Sequence, residues 1–488
     1  MSQDVSADVV VLGAGPAGYV SAIRLAQLGK KVTIIDKDEI GGVCLNRGCI
    51  PSKVLIHAAS FYEKISRAAE MGIDVDGARL DLPRLMKWKN SVVKKLTSGV
   101  ATLLKANGCK VVAGTARFSG PSELAITTSD GQFRMSFNQC VIATGSRPVS
   151  LPGFEVDQKR ILDSSGALDV TEVPRSMLCV GGGYIGLELG TFFAKLGTDV
   201  TVVEAFPNLL GGVDPELTAV VRKKLEKRGV KVMTHTQVKS VRRTENEMTV
   251  LVSQALPDEG VVETSIPVEV VLVTVGRIPN SDHLDLEKTG LVPDSRGFVA
   301  VNSRMQTKVP QIYAIGDVAG PPLLAHKGSK QGIIAAEAIA GLKSSYDVIA
   351  MPAVIFTDPE IATVGLSEAE AREKGFETKV GTFPFIANGR ALSIGEGEGF
   401  VRLIGDAKTG RLLGAHIVGP DASNLISEPA LAIEMGAQVE DVALTVHPHP
   451  SLPEALMEAA EATLGHAIHI YQRDPRGDAR AHRERARA

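Results

Sequence analysis

The sequence predicts an α/β protein that uses one βαβ unit twice on parallel sheets and adds an α+β region behind them. Three observations predict it. At 488 residues, 44% hydrophobic and 22% charged, the chain exceeds what one hydrophobic core organises, so three or four domains are expected. Two segments, "ADVVVLGAGPAGYVSAIRLAQLGKKVTIID" (7–36) and "RSMLCVGGGYIGLELGTFFAKLGTDVTVVE" (175–204), align without a gap. From about Ala350 the texture changes to strands, tight turns and short helices with no nucleotide motif.

Each copy of the repeat reads as an apolar strand, a glycine turn, a helix and a second apolar strand ending in an acid. Gly13, Gly15 and Gly18 match Gly181, Gly183 and Gly186, and Asp36 matches Glu204. This is the Rossmann-like dinucleotide fingerprint. The first glycine permits the turn, the second lets a pyrophosphate approach the helix N-terminus, and the third lets helix and strand pack closely. The acid accepts hydrogen bonds from a ribose diol. Two sites imply two dinucleotides, a flavin and a nicotinamide being the natural pair. Glu204 is followed by "AFPN", with no arginine to receive a 2′-phosphate, which favours NAD over NADP.

"CVIATGSRPVSLPG" (140–153) and "VLVTVGRIPN" (271–280) each read as a strand followed by a glycine- and proline-containing exit. They look like two chain crossings that bracket an inserted domain at about 151–277. "QIYAIGDVAGPPLLAHKGSKQG" (311–332) gives another strand, ending at Gly316-Asp317. Asp317 is placed to face a crevice at the strand's C-terminal end, or else to cap a helix. Residues 80–107 read as one long amphipathic helical stretch, kinked or begun at Pro83, with Lys87, Lys89, Lys94 and Lys95 on a solvated face. "KTG" (408–410) reads as a hairpin turn. The arginine-rich 472–488 is expected to be disordered.

The net charge of −3 argues against nucleic acid as the main partner. No uncharged apolar run reaches the roughly 18–20 residues of a membrane span, and no signal-like segment precedes the first motif. The five cysteines, Cys44, Cys49, Cys109, Cys140 and Cys179, do not make a disulfide scaffold. A reducing cytoplasm is expected, although a mature organelle protein freed of its transit peptide reads the same.

Two cysteines nevertheless stand five apart in "GGVCLNRGCIPSK" (41–53). Structural zinc needs four ligands, and no second cysteine pair exists, so no metal is expected. "IPSK" reads as a helix start, and a helix N-terminus favours thiolate over thiol. A redox-active pair is the expectation. Arg47 inside the loop adds positive charge beside the thiols and is expected to lower their pKa values. In "HPHP" (447–450) prolines stiffen the turn and fix imidazole direction. Histidine suits the movement of thiol protons at neutral pH, so His449 reads either as a base or, equally, as a surface or capping histidine. His447 reads as a surface or capping histidine.

Together, "GGVCLNRGCIPSK", the paired fingerprints, "IYAIGDV", "LAHKGSKQG" and "HPHPSLPEA" resemble the flavoprotein pyridine nucleotide-disulfide oxidoreductases, in the family's motif order over about 5–470. The resemblance implies an FAD domain (1–150), an NAD domain (151–277), a central domain completing the FAD site (278–349) and an interface domain (350–471), working as a homodimer. It implies that Cys44 exchanges with substrate and that Cys49 lies against the flavin as a charge-transfer thiolate. It implies that His449 is the base, reaching in from the other subunit, and that Glu454 holds its imidazole. Lys53 is expected near the flavin and paired with Glu188, with Tyr184 covering the nicotinamide pocket. Further cofactor contacts carried over are Gly114, Thr144, Gly145, Asp317, Ala325, Ile185, Val238 and Gly276. Within the family the likeness is strongest to the branch that reoxidises protein-bound dihydrolipoyl groups with NAD⁺. Its partners are lipoylated acyltransferase subunits of 2-oxoacid dehydrogenase complexes or the glycine-cleavage carrier protein. The competing readings are an NADPH-dependent reductase of glutathione type and a non-catalytic flavoprotein scaffold. Two departures stand out. Asp36 replaces a usual Glu, and Pro453 replaces a usual Ser, removing a backbone donor just before Glu454.

Overall fold

The computed structural model describes residues 5–245, 247–256 and 260–472; the arginine-rich residues from 473 on lie outside them. The chain divides into two compact units, Met1–Ala205 with His235–Asp347, and Phe206–Thr234 with Val348–Ala488.

The first unit carries both copies of the repeat. Strand Val5–Leu12 is central in the first sheet, running parallel to Val32–Asp36 on one side and to the second half of Gly131–Ile142 on the other. Lys110–Ala113 and Ile312–Ala314 extend the sheet, also in parallel. Val9, Val10 and Val11 are fully buried, as a strand covered on both faces requires. The first half of Gly131–Ile142 instead pairs antiparallel with Glu123–Thr128. In the second sheet Ser176–Val180 lies between Asp199–Val203 and Val270–Val273, all parallel.

The two crossings meet. Ser146–Pro148 pairs antiparallel with Arg277–Pro279, Thr144 Oγ1 donates to Asn280 O at 2.7 Å, and Asn280 Nδ2 donates to Thr144 O at 2.9 Å. The chain therefore leaves the first sheet and returns to it at one place, with the second sheet built in between.

Of the two readings of Pro83, a kink or a start, the structure has the start: helix Leu82–Ala106 carries Pro83 in its first turn, and the Asp81 side chain caps Arg84 N–H at 3.0 Å. Its lysine face is a correction. Lys87, Lys94 and Lys95 are exposed, but Lys89 is buried, donating to Leu168 O at 2.6 Å and pairing with Asp169 at 2.7 Å. The covering segment comes from elsewhere in the chain, which helical periodicity does not register. Lys89→Ala should lower stability by about 1–3 kcal/mol, because Leu168 O loses its buried donor. The matching Lys87→Ala should stay within about 0.5 kcal/mol. Urea midpoints of the two variants check this.

The second unit is an antiparallel five-stranded sheet in the order Ala353–Ile355, Glu360–Gly365, Leu412–Gly419, Phe400–Asp406, Thr378–Pro384. The "KTG" turn joins Phe400–Asp406 to Leu412–Gly419, as read from the sequence. Helix Glu454–Leu464 packs on the sheet, burying Leu456, Ala459 and Ala460 in its core. Helix Pro215–Lys227 belongs to this unit too. Lys224 pairs with Asp358 at 3.1 Å, and Arg402 pairs with Asp214, the helix's capping residue, at 2.9 Å.

Candidate active site

The first glycine turn is shaped by close contacts. Gly13 has φ +105°, and a Cβ there would lie 2.3 Å from Ala143 O. A Cβ on Gly18 would lie 1.9 Å from Gly13 O, so helix Pro16–Gln27 packs against the turn through bare backbone. A Cβ on Gly15 would meet only Gly42 Cα, at 3.9 Å, so this side of the turn is uncrowded, as a phosphate's approach needs. Asp36 accepts the Ala14 N–H with one oxygen and the Asp38 N–H, at 2.8 Å, with the other. Glu204 does the same for the second turn, accepting from Gly182 N–H at 2.7 Å. Both acids thus brace their own turns, a duty that spacing alone did not suggest. In the second copy Gly181 abuts Thr274, Gly186 abuts Gly181, and Gly183 is open. Val238 stands in strand Thr236–Arg243, which follows Glu204 through a Thr236 N–H to Glu204 O bond of 2.9 Å. Gly276 lies just past strand Val270–Val273.

The cysteine loop is pinned to the first turn. Gly41 N–H donates to Ala14 O at 2.9 Å, and a Cβ on Gly42 would come within 2.6 Å of Gly15 Cα. Only glycine there lets helix Gly42–Arg47, which carries Cys44, lie beside the turn. Gly48 breaks this helix, and Cys49 opens the next, Cys49–Ser66.

All five cysteines are free thiols, and Cys44 and Cys49 hydrogen-bond to one another, the reduced form of a pair. They are polarised. The Cys44 thiol lowers Cys49 to about 7, against the effect of burial and with help from Lys53. The same hydrogen bond, then burial, pushes Cys44 up. Cys49 is therefore the thiolate. Lys53 sits one turn further along the helix, its Nζ 2.7 Å from Glu188 Oε2, and Glu188 is buried on the second-fingerprint helix Tyr184–Lys195. Arg47 departs from expectation: its guanidinium turns to Asp38 at 3.2 Å, and Lys53 is the cation that acts on the thiols. Removing that cation disfavours the thiolate, so Lys53→Met should raise the pH at which the reduced protein gains thiolate absorbance at 240 nm, from about 7 in the parent. A pH titration of both reduced proteins reads this directly.

One cavity of about 390 Å³ runs through the first unit. Gly13, Gly15 and Asp36 line it, as do Gly114, Thr144, Gly145, Asp317 and Ala325. So do Cys44, Cys49, Lys53, Tyr184, Ile185 and Glu188. Gly18, Gly181, Gly183, Gly186, Glu204, Val238 and Gly276 do not line it. A groove that joins an open glycine turn and a carboxylate to a dithiol fits a flavin dinucleotide. Asp317 is not a helix cap here; it accepts from Ser146 Oγ, which in turn accepts from Arg277 Nε at 2.8 Å. Ser146 and Arg277 also line the cavity. Each lies inside a crossing motif whose glycine and proline carry the local signal, so neither is marked by sequence until Ser146 meets Asp317 and Arg277. Lys327 was missed as well: it is buried, with its Nζ donating to Gly316 O at 3.2 Å and to Gly320 O, holding the loop that carries Asp317.

His449 and Glu454 are in the second unit. Glu454 Oε1 meets His449 Nδ1 at 2.8 Å, and Oε2 accepts Ser451 N–H at 2.7 Å. Partial burial pushes the Glu454 carboxyl up, but Ser451 N–H and His449 outweigh it and hold it below the usual range. A proton on Nδ1 toward the carboxylate leaves Nε2 as the basic atom. Pro453 does no harm, since it immediately precedes helix Glu454–Leu464, where a backbone N–H has no intrahelical acceptor. His447 is turned to Glu428 at 2.9 Å and to Thr445 O at 2.8 Å, and Glu428 pulls its pKa up. Among the described residues no three His, Cys, Asp or Glu side chains gather as a metal site, and no helix is long and apolar enough to cross a membrane.

Residues 7–332 match the pyridine nucleotide-disulphide oxidoreductase family, and residues 351–460 match its dimerisation domain. The chain is 47% identical over 466 residues to a dihydrolipoyl dehydrogenase of Geobacillus stearothermophilus, covering 96% of this chain and 98% of that one. It is 48% identical over 467 residues to one of Thermus scotoductus, covering 96% and 99%. Among solved structures it is similar to LpdA of Mycobacterium tuberculosis, with TM-score 0.86 and 29% identity over 93% of this chain and 99% of that one. It is also similar to the HOCl-induced flavoprotein disulfide reductase RclA of Escherichia coli, with TM-score 0.82 and 28% identity over 93% and 99%. With its polarised dithiol beside a glycine turn, and with matches over nearly its whole length, the chain belongs to the pyridine nucleotide-disulphide oxidoreductase family.

Proposed function

We infer that this protein is a dihydrolipoyl dehydrogenase, oxidising dihydrolipoyl groups through Cys44 and Cys49 with FAD and NAD as cofactors. The observation that carries this is the pair itself: one thiolate and one thiol, unequal in pKa, in the cavity that begins at the first glycine turn. In the oxidised pair, the substrate dithiol loses a proton to His449 Nε2, and the resulting thiolate attacks the Cys44 sulfur. Cys49 leaves as thiolate, which the helix N-terminus and Lys53 stabilise. The second substrate thiol then attacks the sulfur bound to Cys44, closing the cyclic disulfide and expelling Cys44, which takes up the proton held on His449, while the proton of that second thiol replaces it on Nε2. Hydride transfer is the chemistry that bound FAD and NAD supply, and it returns the pair to the disulfide.

Gly13, Gly15, Asp36, Gly114, Thr144, Gly145, Asp317 and Ala325 would hold the flavin. Gly181, Gly183, Gly186, Glu204, Val238 and Gly276 would hold the nicotinamide dinucleotide, with Lys53, Tyr184, Ile185 and Glu188 between the two. NAD is preferred because Glu204 would repel a 2′-phosphate. The four-part division at 150, 277 and 349, the homodimer in which His449 serves the partner's sulfurs, the lipoylated partners and the cytoplasmic setting belong to the same reading. Mixing the purified protein with dihydrolipoamide and NAD⁺ should generate NADH absorbance at 340 nm, and mixing it with NADPH and glutathione disulfide should consume none. Turnover only in the second mixture would overturn the assignment.

A further inference from the structure

The first glycine turn offers a pyrophosphate one backbone donor fewer than the second. The Ala14 N–H is taken by Asp36, and Pro16 has none. The position of Pro16 in the second turn is held by Tyr184, which keeps its N–H. A doubly charged phosphate pair at the first turn therefore gains from a nearby cation. The cavity's cations are largely engaged: Lys53 with Glu188, Arg147 with Asp282, and Arg277 with Ser146, while Lys37 is exposed. Arg47 is different. It ends the helix that Gly42 brings against Gly15, it lines the same cavity, and Asp38 holds one end of its guanidinium. Its Nε is buried with no hydrogen-bond partner, a state folded proteins seldom leave unanswered.

We propose that Arg47 binds the pyrophosphate of the flavin dinucleotide, so that the redox loop anchors the cofactor as well as carrying the sulfurs. This rests on the FAD reading above. A planar guanidinium fixed at one end by a carboxylate presents its remaining N–H groups in a geometry suited to phosphate oxygens. Arg47 also lines a second, open pocket with Asn46 and Lys94, so free phosphate is the competing source of the same chemistry.

The test is flavin release from diluted full-length holoenzyme, followed by flavin fluorescence. Arg47→Gln should weaken FAD retention by about tenfold or more, with Arg47→Lys between it and the parent. The parent's retention should fall with added NaCl more steeply than that of Arg47→Gln, a difference that a purely structural role would not produce. Equal retention and equal salt dependence in parent and Arg47→Gln would overturn the proposal. So would inorganic phosphate raising the melting temperature of the parent but not of Arg47→Gln while FAD retention is unchanged, since the anion would then sit in the second pocket. A parent protein that takes up no FAD would instead overturn the function proposed above.

Discussion

Cys44→Ser and Cys49→Ser should each abolish dihydrolipoamide oxidation, with kcat falling more than about a thousandfold, as expected where residues act as one chemical unit. A disulfide needs both sulfurs, and a serine hydroxyl accepts no electron pair from a dithiol. The two variants should still differ in the thiol that remains. Serine at 44 keeps a donor facing Cys49, whereas Cys44→Ala removes the group that most lowers Cys49, so the Cys49 thiolate should titrate at higher pH in the alanine variant than in the serine one. Serine at Cys140 or Cys179 provides the contrast. Both are fully buried in central strands of the first and second sheets, and burial alone pushes their thiols up, to about 12 for Cys179. Those changes should lower stability and leave the reaction chemistry intact. Steady-state turnover with a parallel melting curve separates the two classes, and either loop variant retaining a tenth of parental activity would remove the pair from the reaction.

What was legible in the sequence was what short spacings encode. The glycine turns, their closing acids, the cysteine loop and the "KTG" hairpin each lie within about thirty residues of chain, and local geometry dictates their residue types. What was not legible is assembled from distant segments. Lys89 is on a polar stripe by periodicity, yet Leu168 and Asp169 cover it. Ser146 gains meaning only when Asp317 and Arg277 close around it. Arg47 reads as a cation for the neighbouring thiols until Asp38 is seen to hold it. Helix Pro215–Lys227 continues the second repeat in sequence but joins the second unit through Asp358 and Arg402. Pro453 is the opposite case. It removes a backbone donor just before Glu454, and its place ahead of a helix makes that donor dispensable.

His449→Gln should lower kcat with dihydrolipoamide by about a hundredfold to ten-thousandfold, the usual weight of a positioned general base. Glutamine fills similar space and still reaches Glu454, but it cannot take a thiol proton, so the loss isolates proton transfer from packing. The imidazole is mostly solvent-exposed, at 80% of its side-chain area, whereas the carboxylate that orients it is largely covered, at 20%. If this imidazole is the base, its sulfurs come from outside the unit that carries it, since that unit holds neither Cys44 nor Cys49. If they come from the partner subunit, each site of a homodimer draws its cysteines from one chain and its histidine from the other. Cys44→Ser and His449→Gln homodimers are then both inactive. After subunit exchange a mixed dimer has one site with both defects and one site with neither. A statistical mixture should regain about a quarter of parental activity, since half its dimers are mixed and each has one intact site. If His449 instead serves its own chain's cysteines, every site in the mixture keeps one defect and no activity returns.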